Sequence, residues 1–242
     1  MNTKAIIDGD VLVYMSVWKS ETLEDAKQKF REHVKSTCYN LFTDDWVMAI
    51  GGPDNFRVDL FEGYKGSRKK AKDDRPDWFL DLKLWAGNLE NSIMTDNCEA
   101  DDMVRIWANE CTEAGIPRVV VSIDKDLHCI PGPHYNPRTK EVFHITPEYA
   151  ERFYWQQVLT GDATDCIPGI YKCGPAKAQK ILGDEGKPRA EYEAAVCRAY
   201  ATEYGEEGHG YLLANAKLIH IMRSWNDYFS FSEAKYERCL TE

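Results

Sequence analysis

Carboxylates in this chain fall into four tight clusters, each set beside a run of apolar residues. A fold that buries the runs must therefore carry the acids to the ends of its core elements. The clusters are Asp8 and Asp10 in IIDGDVLVY, Glu99, Asp101 and Asp102 in CEADDMVRIWA, Asp124 and Asp126 in VVVSIDKDL, and Asp162 and Asp165 in LTGDATDCIPG. Ionised carboxylates crowded at one point repel one another and are tolerated only when cations neutralise them. Hard divalent ions with oxygen ligands, Mg²⁺ or Mn²⁺, suit such a donor set. The pattern predicts metal-dependent phosphate chemistry.

The apolar runs KAIID (4–8), WVMAI (46–50) and VVVSI (119–123) read as short buried strands. Between them, Leu23, Ala26, Phe30 and Val34 mark a helix over roughly 22–42. Ala100, Met103, Val104 and Trp107 mark another over roughly 99–114. Strands alternating with helices predict an α/β core with a mainly parallel sheet, whose sites lie at the carboxyl ends of the strands. Asp8 and Asp124 follow their runs where that rule places ligands. From about 147 onward the pattern is helical: PEYAERFYWQQVLTG, then a helix–turn–helix pattern in GDATDCIPGIYKCGPAKAQKIL, then further helix over 189–229. The expected boundary, near 146–150, separates a core (1–148) from a helical lobe (149–242). Inside the core, a basic segment (GYKGSRKKAKDDRPD, 63–77) leads into an amphipathic helix carrying Trp78, Phe79, Leu82 and Trp85.

With 43% hydrophobic and 29% charged residues in 242, the chain reads as a soluble globular protein. It has no apolar stretch of about 18 residues. The start, MNTKAIIDGD, lacks the layout of a secretory signal. Eight scattered cysteines without a CxxC pair argue against zinc and against a disulfide framework, and for a reducing cytoplasm. A net charge of −10 argues against nucleic acid until its distribution is considered. Many of the acids belong to the clusters, whereas Lys65, Arg68, Lys69, Lys70, Lys72 and Arg75 fall within eleven residues and Lys172, Lys177 and Lys180 form a second group. Basic patches around an acidic centre suit a polyanion gripped by its backbone and cut at the metals.

Each cluster also has an ordinary reading. Asp124 and Asp126, two apart at a strand's end, point to one face if the chain stays extended. Glu99 and Asp102, three apart, neighbour each other on a helix, and Asp101 is rotated away. Acids also favour helix N-termini for their own sake, and Asp162 or Asp165 can cap a turn. Gly174-Pro175 ahead of a helix turns backbone N–H groups toward solvent, where a phosphate can dock with Lys177 and Lys180 as counter-charge. Lys65 and Arg68 could be a solvated charge run or could stabilise charge on a scissile phosphate. The six histidines lack ligand spacing, and the tryptophan stripe reads as core.

Taken in order, IIDGDVLVY, NFRVDLFEGYKGSRK, CEADDMV, VVSIDKDL and TGDATDCIPGIYKCGPAKAQKIL resemble the flap endonuclease/5′-nuclease superfamily. The likeness extends particularly to its tailed-phage 5′→3′ exonucleases and to the 5′-nuclease domain of bacterial DNA polymerase I. The resemblance implies a PIN-like (5′-nuclease) core with a mainly parallel sheet flanked by helices and a C-terminal helix-hairpin-helix lobe. It implies two-metal hydrolysis of phosphodiesters by Mg²⁺, with Mn²⁺ able to substitute. Asp8, Glu99, Asp101 and Asp102 match one metal group, and Asp124, Asp126, Asp162 and Asp165 match a second. Lys65 and Arg68 match the catalytic basic pair at the foot of a helical arch (about 63–95). Lys69, Lys70, Lys72, Lys172, Gly174, Lys177 and Lys180 are implied to meet DNA, and the hairpin can hold K⁺ in relatives. The implied partner is DNA with a 5′ end, flap or single-strand/duplex junction, met by a cytoplasmic monomer in phage-type replication or recombination, with RNA in hybrids a further substrate.

The chain departs from this pattern in three places. Gly51 and Gly52 stand where the second strand usually carries an acid, so either one metal is held more loosely or Asp10 or Asp54 substitutes. Met15 replaces a usual arginine, and Lys172-Cys173 replaces Gly-Ile in the hairpin. Two rival readings remain. A haloacid-dehalogenase-type phosphatase would use Asp8, Asp10, Ser122, Lys140 and GDATD, with the last following a buried strand. A catalytically silent DNA-junction-binding protein of the same fold would bind without cutting.

Overall fold

The computed structural model describes residues 3–66 and 75–241. Along the chain run β1 (Lys4–Asp8), α1 (Gly9–Val17), α2 (Leu23–Leu41), β2 (Trp46–Ile50), α3 (Phe56–Leu60), α4 (Phe79–Gly87) and β3 (Ser92–Met94). There follow α5 (Ala100–Glu113), β4 (Arg118–Val121), β5 (Gly132–Asn136), β6 (Glu141–Ile145), α6 (Pro147–Thr160), α7 (Pro175–Leu182), α8 (Arg189–Tyr204), α9 (Gly208–Ile219) and α10 (Glu233–Thr241). These elements form two compact units. The described residues of the first are 3–56, 75–145 and 221–226, and those of the second are 57–66, 146–220 and 227–241.

The first unit is built on a six-stranded sheet of order β3-β2-β1-β4-β5-β6. All neighbours pair in parallel except the β5–β6 hairpin. The three expected strands are present, the third ending earlier, at Val121. Strand β1 is buried from Ala5 to Asp8, as a parallel strand covered on both faces must be, and this is why it reads as a continuous apolar run. Helix α2 starts where the Thr22 side chain accepts a hydrogen bond from Asp25 N, and Ala26, Phe30 and Val34 bury its inner stripe. That stripe joins Ile7, Leu12, Met48, Phe79, Leu82 and Val121 in one core. Trp78 and Trp85 pack against this core, Trp85 edge-on to Phe30 at 5.6 Å, as the core reading of the tryptophans expects.

Register fixes what lies at the sheet's carboxyl edge. Asp8 pairs with Ala49 of β2, and Ile7 pairs with Val121 of β4. Asp8, Gly51 and Ser122 are therefore near-neighbours at the ends of three adjacent strands. Gly9 lets α1 leave β1 tight against β2, because a Cβ there would meet Ala49 O at 2.8 Å and Met48 Cγ at 2.6 Å.

The second unit is helical. Thr146 caps α6, accepting from Tyr149 N, with Pro147 in the first turn. Its interior holds Trp155, Tyr192, Tyr200, Leu212 and Tyr236. The buried Arg57 guanidinium donates to Leu218 O and His220 O, at 3.1 and 2.5 Å. Contrary to the expectation from cysteine spacing, Cys197 on α8 and Cys239 on α10 form a disulfide, with Cα atoms 6.2 Å apart. Helix packing brings together two cysteines that lie 42 residues apart in sequence. No helix among the described residues is long and apolar enough to cross a membrane.

Candidate metal centre

Asp8 ends β1 in the middle of the sheet and is 4% exposed. Ser122 Oγ donates to Asp8 Oδ2 at 2.8 Å and itself accepts from Asp124 N at 2.9 Å, so one hydroxyl ties the ends of β1 and β4 together. Burial, chiefly, and then the charge of Asp10 push the Asp8 carboxyl up to about 7; the Ser122 hydrogen bond opposes the rise and Asp124 adds to it. Asp10, in the first turn of α1, has its Oδ1 3.0 Å from Lys83 Nζ of α4. That contact is an ion pair without hydrogen-bond alignment. Its Oδ2 accepts from Gly51 N at 3.2 Å. Asp54, the other acid expected near β2, is exposed.

Asp124 and Asp126 do not share a strand face. Strand β4 ends at Val121, and Asp124 caps a 3-10 turn (Lys125–Cys129), accepting from Asp126 N at 2.9 Å. The alternation argument fails because the chain is no longer extended there. Asp124 is exposed and Asp126 half-buried.

Glu99 and Asp102 are neighbours through a capping box at the start of α5. Asp102 Oδ2 accepts from Glu99 N at 3.0 Å, and Oδ1 accepts from Met222 N at 2.9 Å. Asp102 is fully buried and ties the 221–226 segment to α5. Glu99 Oε1 accepts from Asn55 Nδ2 at 2.7 Å, and Asp101 is half-buried in the first turn. Sequence reasoning missed Asn55 and Lys83, neither of which stands in a cluster of like residues. It noticed Ser122 only within the phosphatase reading, although its place after VVV was a usable signal.

In the helical unit, Asp162 and Asp165 are buried. Asp162 Oδ1 accepts from Thr164 N and Asp165 N, at 2.7 and 3.3 Å, the turn the sequence allowed. The fold brings Lys65 to this cluster: its N donates to Asp165 O at 3.0 Å and its Nζ lies 3.6 Å from Asp165 Oδ2. Tyr64 OH donates to the same carboxylate at 3.3 Å. The turn depends on Gly161, which has φ +67 and whose Cβ would strike Pro168 C at 2.6 Å. Gly174 is the N-cap of α7, with Pro175 following. Lys172, Lys177 and Lys180 are exposed, Lys177 lying 3.9 Å from Glu203. Arg68, Lys69, Lys70 and Lys72 lie outside the described residues.

Among the described residues, no three His, Cys, Asp or Glu side chains stand gathered as a ready metal cage. The donor chemistry at the sheet edge nonetheless fits a hard cation. The Asp8 carboxyl is raised by its burial and then by the charges of Asp10 and Asp124. The GDATD segment follows helix α6, as the helical pattern ahead of it implies, rather than the buried strand the phosphatase reading requires.

Comparison with known proteins agrees with this geometry. The family described as 5′-3′ exonuclease, N-terminal resolvase-like domain, matches residues 4–153. DNA polymerase I of Deinococcus radiodurans is 26% identical over 210 residues, covering 80% of this chain and 22% of the polymerase. Flap endonuclease Xni of Colwellia psychrerythraea is 28% identical over 151 residues, covering 57% of this chain and 51% of Xni. The chain thus spans about a fifth of the first relative and half of the second. A structure of the bacteriophage T5 flap endonuclease with DNA and metal ions has the same fold. Its TM-score is 0.70 at 14% identity, over 99% of this chain and 98% of that one.

Proposed function

The chain belongs to the 5′-3′ exonuclease family, and on that premise we propose that it is a metal-dependent hydrolase of DNA phosphodiester bonds, acting at 5′ ends or 5′ flaps. The observation that carries this reading is Asp8, a buried carboxylate at the end of the central strand with Asp10 and Asp124 close enough to raise its pKa. A site so rich in oxygen anions favours binding of a divalent cation. The similarity to a flap endonuclease captured with DNA and metal ions supports the same chemistry.

Asp8, Glu99, Asp101, Asp124 and Asp126 would supply the first unit's donors to the ions, Mg²⁺ or Mn²⁺, and Asp162 and Asp165 those of the helical unit. Bound there, the ions would lower the pKa of a water and offset charge on the leaving oxygen. Ser122 keeps the Asp8 and Asp124 segments in register, which preorganises the donors. Lys65 and Arg68 would neutralise charge on the scissile phosphate. The exposed start of α7, Gly174 and Pro175, with Lys172, Lys177 and Lys180, would grip duplex backbone without reading bases. Lys69, Lys70 and Lys72 would add charge along the strand.

The test is to run a 5′-labelled flap and a 5′-labelled blunt duplex side by side, with and without Mg²⁺, using the wild type and Asp124→Asn/Asp126→Asn. The expected result is Mg²⁺-dependent product from the wild type and loss of product in the double variant. Wild-type rates in the variant overturn the assignment. Tight DNA binding with no cleavage in Mg²⁺ or Mn²⁺ would instead make this a junction-binding protein of the same fold.

A further inference from the structure

Three neighbouring strands, β2, β1 and β4, end at the same edge of the sheet. Strand β1 ends in Asp8, and β4 leads through Ser122 to Asp124. Strand β2 runs into Gly51, which has no side chain to offer. The space a side chain at position 51 would need is already filled. A Cβ there would lie 2.6 Å from Asp10 Oδ2 and 3.6 Å from Lys83 Nζ. Asp10 is delivered from α1, two residues beyond Asp8, and it is fixed at both oxygens: Gly51 N–H donates to one and Lys83 lies 3.0 Å from the other. The edge therefore presents a carboxylate at each of the three strand ends, the one at β2 being borrowed from the helix.

We propose that Asp10, seated over Gly51 and held by Lys83, is a positioning residue of the metal centre: it takes the place of a side chain on β2 and accepts a hydrogen bond from a water on the bound ion. This rests on the metal-dependent reading given above and deepens it. Holding by Lys83 and by Gly51 N–H explains why the carboxylate acts at one remove. A carboxylate with an ammonium at one oxygen and an N–H at the other retains lone pairs for a water, yet is not free to swing onto an ion. A glycine at 51 is then a requirement, because any larger residue would expel the Asp10 carboxylate.

The experiment measures Mn²⁺ binding to the full chain by electron paramagnetic resonance of the free ion, with folding checked by thermal denaturation in EDTA. Asp10→Asn keeps an oxygen for Gly51 N–H and is expected to remain folded, yet to bind Mn²⁺ about tenfold to a hundredfold more weakly. Gly51→Asp, placed against Asp10, is expected to lower both stability and affinity. The relocated carboxylate, Asp10→Ser with Gly51→Asp, is expected to regain most of the lost affinity. Wild-type affinity in Asp10→Asn refutes the role of Asp10, as does failure of a folded double variant to recover. Absence of Mn²⁺ binding by the wild type overturns the metal-dependent reading itself, and the inference with it.

Discussion

Asp8→Asn should make the metal-free protein more stable while destroying its use for a cation. The Asp8 carboxyl is raised from 3.8 to about 7, first by burial and then by Asp10. A raised carboxyl binds its proton more tightly in the folded chain, so stability falls as pH rises from 3.8 to about 7 and stays low above that. At about 1.4 kcal/mol per pH unit, the cost of ionising Asp8 approaches an upper bound of about 4 kcal/mol. An asparagine has no such ionisation, and its oxygen can still accept from Ser122 Oγ. Urea denaturation followed by tryptophan fluorescence, in EDTA at constant ionic strength from pH 4 to 8, reads the difference between variant and wild type. The advantage of Asp8→Asn should be near zero at pH 4 and largest at pH 8. Addition of Mg²⁺ should raise the wild-type midpoint and leave the variant's unchanged. A variant less stable than the wild type at pH 8, or a difference that ignores pH, refutes the electrostatic account of this carboxylate.

His134 gives the opposite slope. Burial pushes it down to about 4, against a hydrogen bond from its Nε2–H to Ile130 O. The unfolded chain then binds the proton more readily, and stability is lost as pH falls from about 6.5 to 4, by about 3 kcal/mol in all. Replacing His134 with glutamine should remove that loss, so in the same urea assay the wild-type-minus-variant stability should fall by about 3 kcal/mol as pH drops from about 6.5 to 4, and a flat difference refutes the account. Lys65→Ala should lower kcat on a 5′ flap about a hundredfold. Its pair with Asp165 is partly solvated, so the melting temperature should barely move. Asp102→Ala should do the reverse of a ligand loss. Its carboxylate bonds Glu99 N and Met222 N, so stability in urea should fall by about 3 kcal/mol while Mn²⁺ binding persists in whatever folded protein remains.

What could be read in advance follows from which forces are local. Strands β1, β2 and β4 are short, β-branched and buried, so their runs announce themselves; α2 and α5 carry apolar stripes and caps. Strand β3 has three residues, and β5 reads GPHYN, polar and broken by glycine and proline, so neither gives a pattern. Asp8 was legible because it closes a buried strand. The common face assumed for Asp124 and Asp126 was not realised, because a 3-10 turn begins at the first aspartate. Lys83 gave no signal at all: it is a lone lysine in DLKLWAG, and only the packing of α4 carries it to Asp10.

The two readings of an acidic cluster, as cap or as ligand, are not alternatives in this fold. Asp102 satisfies backbone donors at the head of α5 and in the 221–226 segment, and Asp162 does so within its own turn. Carboxylates bound in this way are held immobile before any cation arrives, at no reorganisation cost later. Each fixes a neighbour: Asp102 orders the turn that presents Glu99 and Asp101, and Asp162 orders the turn that presents Asp165 beside Lys65. Asp8 differs in kind. Its burial and the like charges of Asp10 and Asp124 outweigh the hydrogen bonds it accepts from Ser122 and the Val11 backbone, and its carboxyl is raised accordingly. The chain thus divides its acids into some that hold the backbone and at least one left electrostatically strained. The strained one is where a divalent cation would return the most free energy, so the scaffold tolerates at Asp8 a cost it avoids at Asp102.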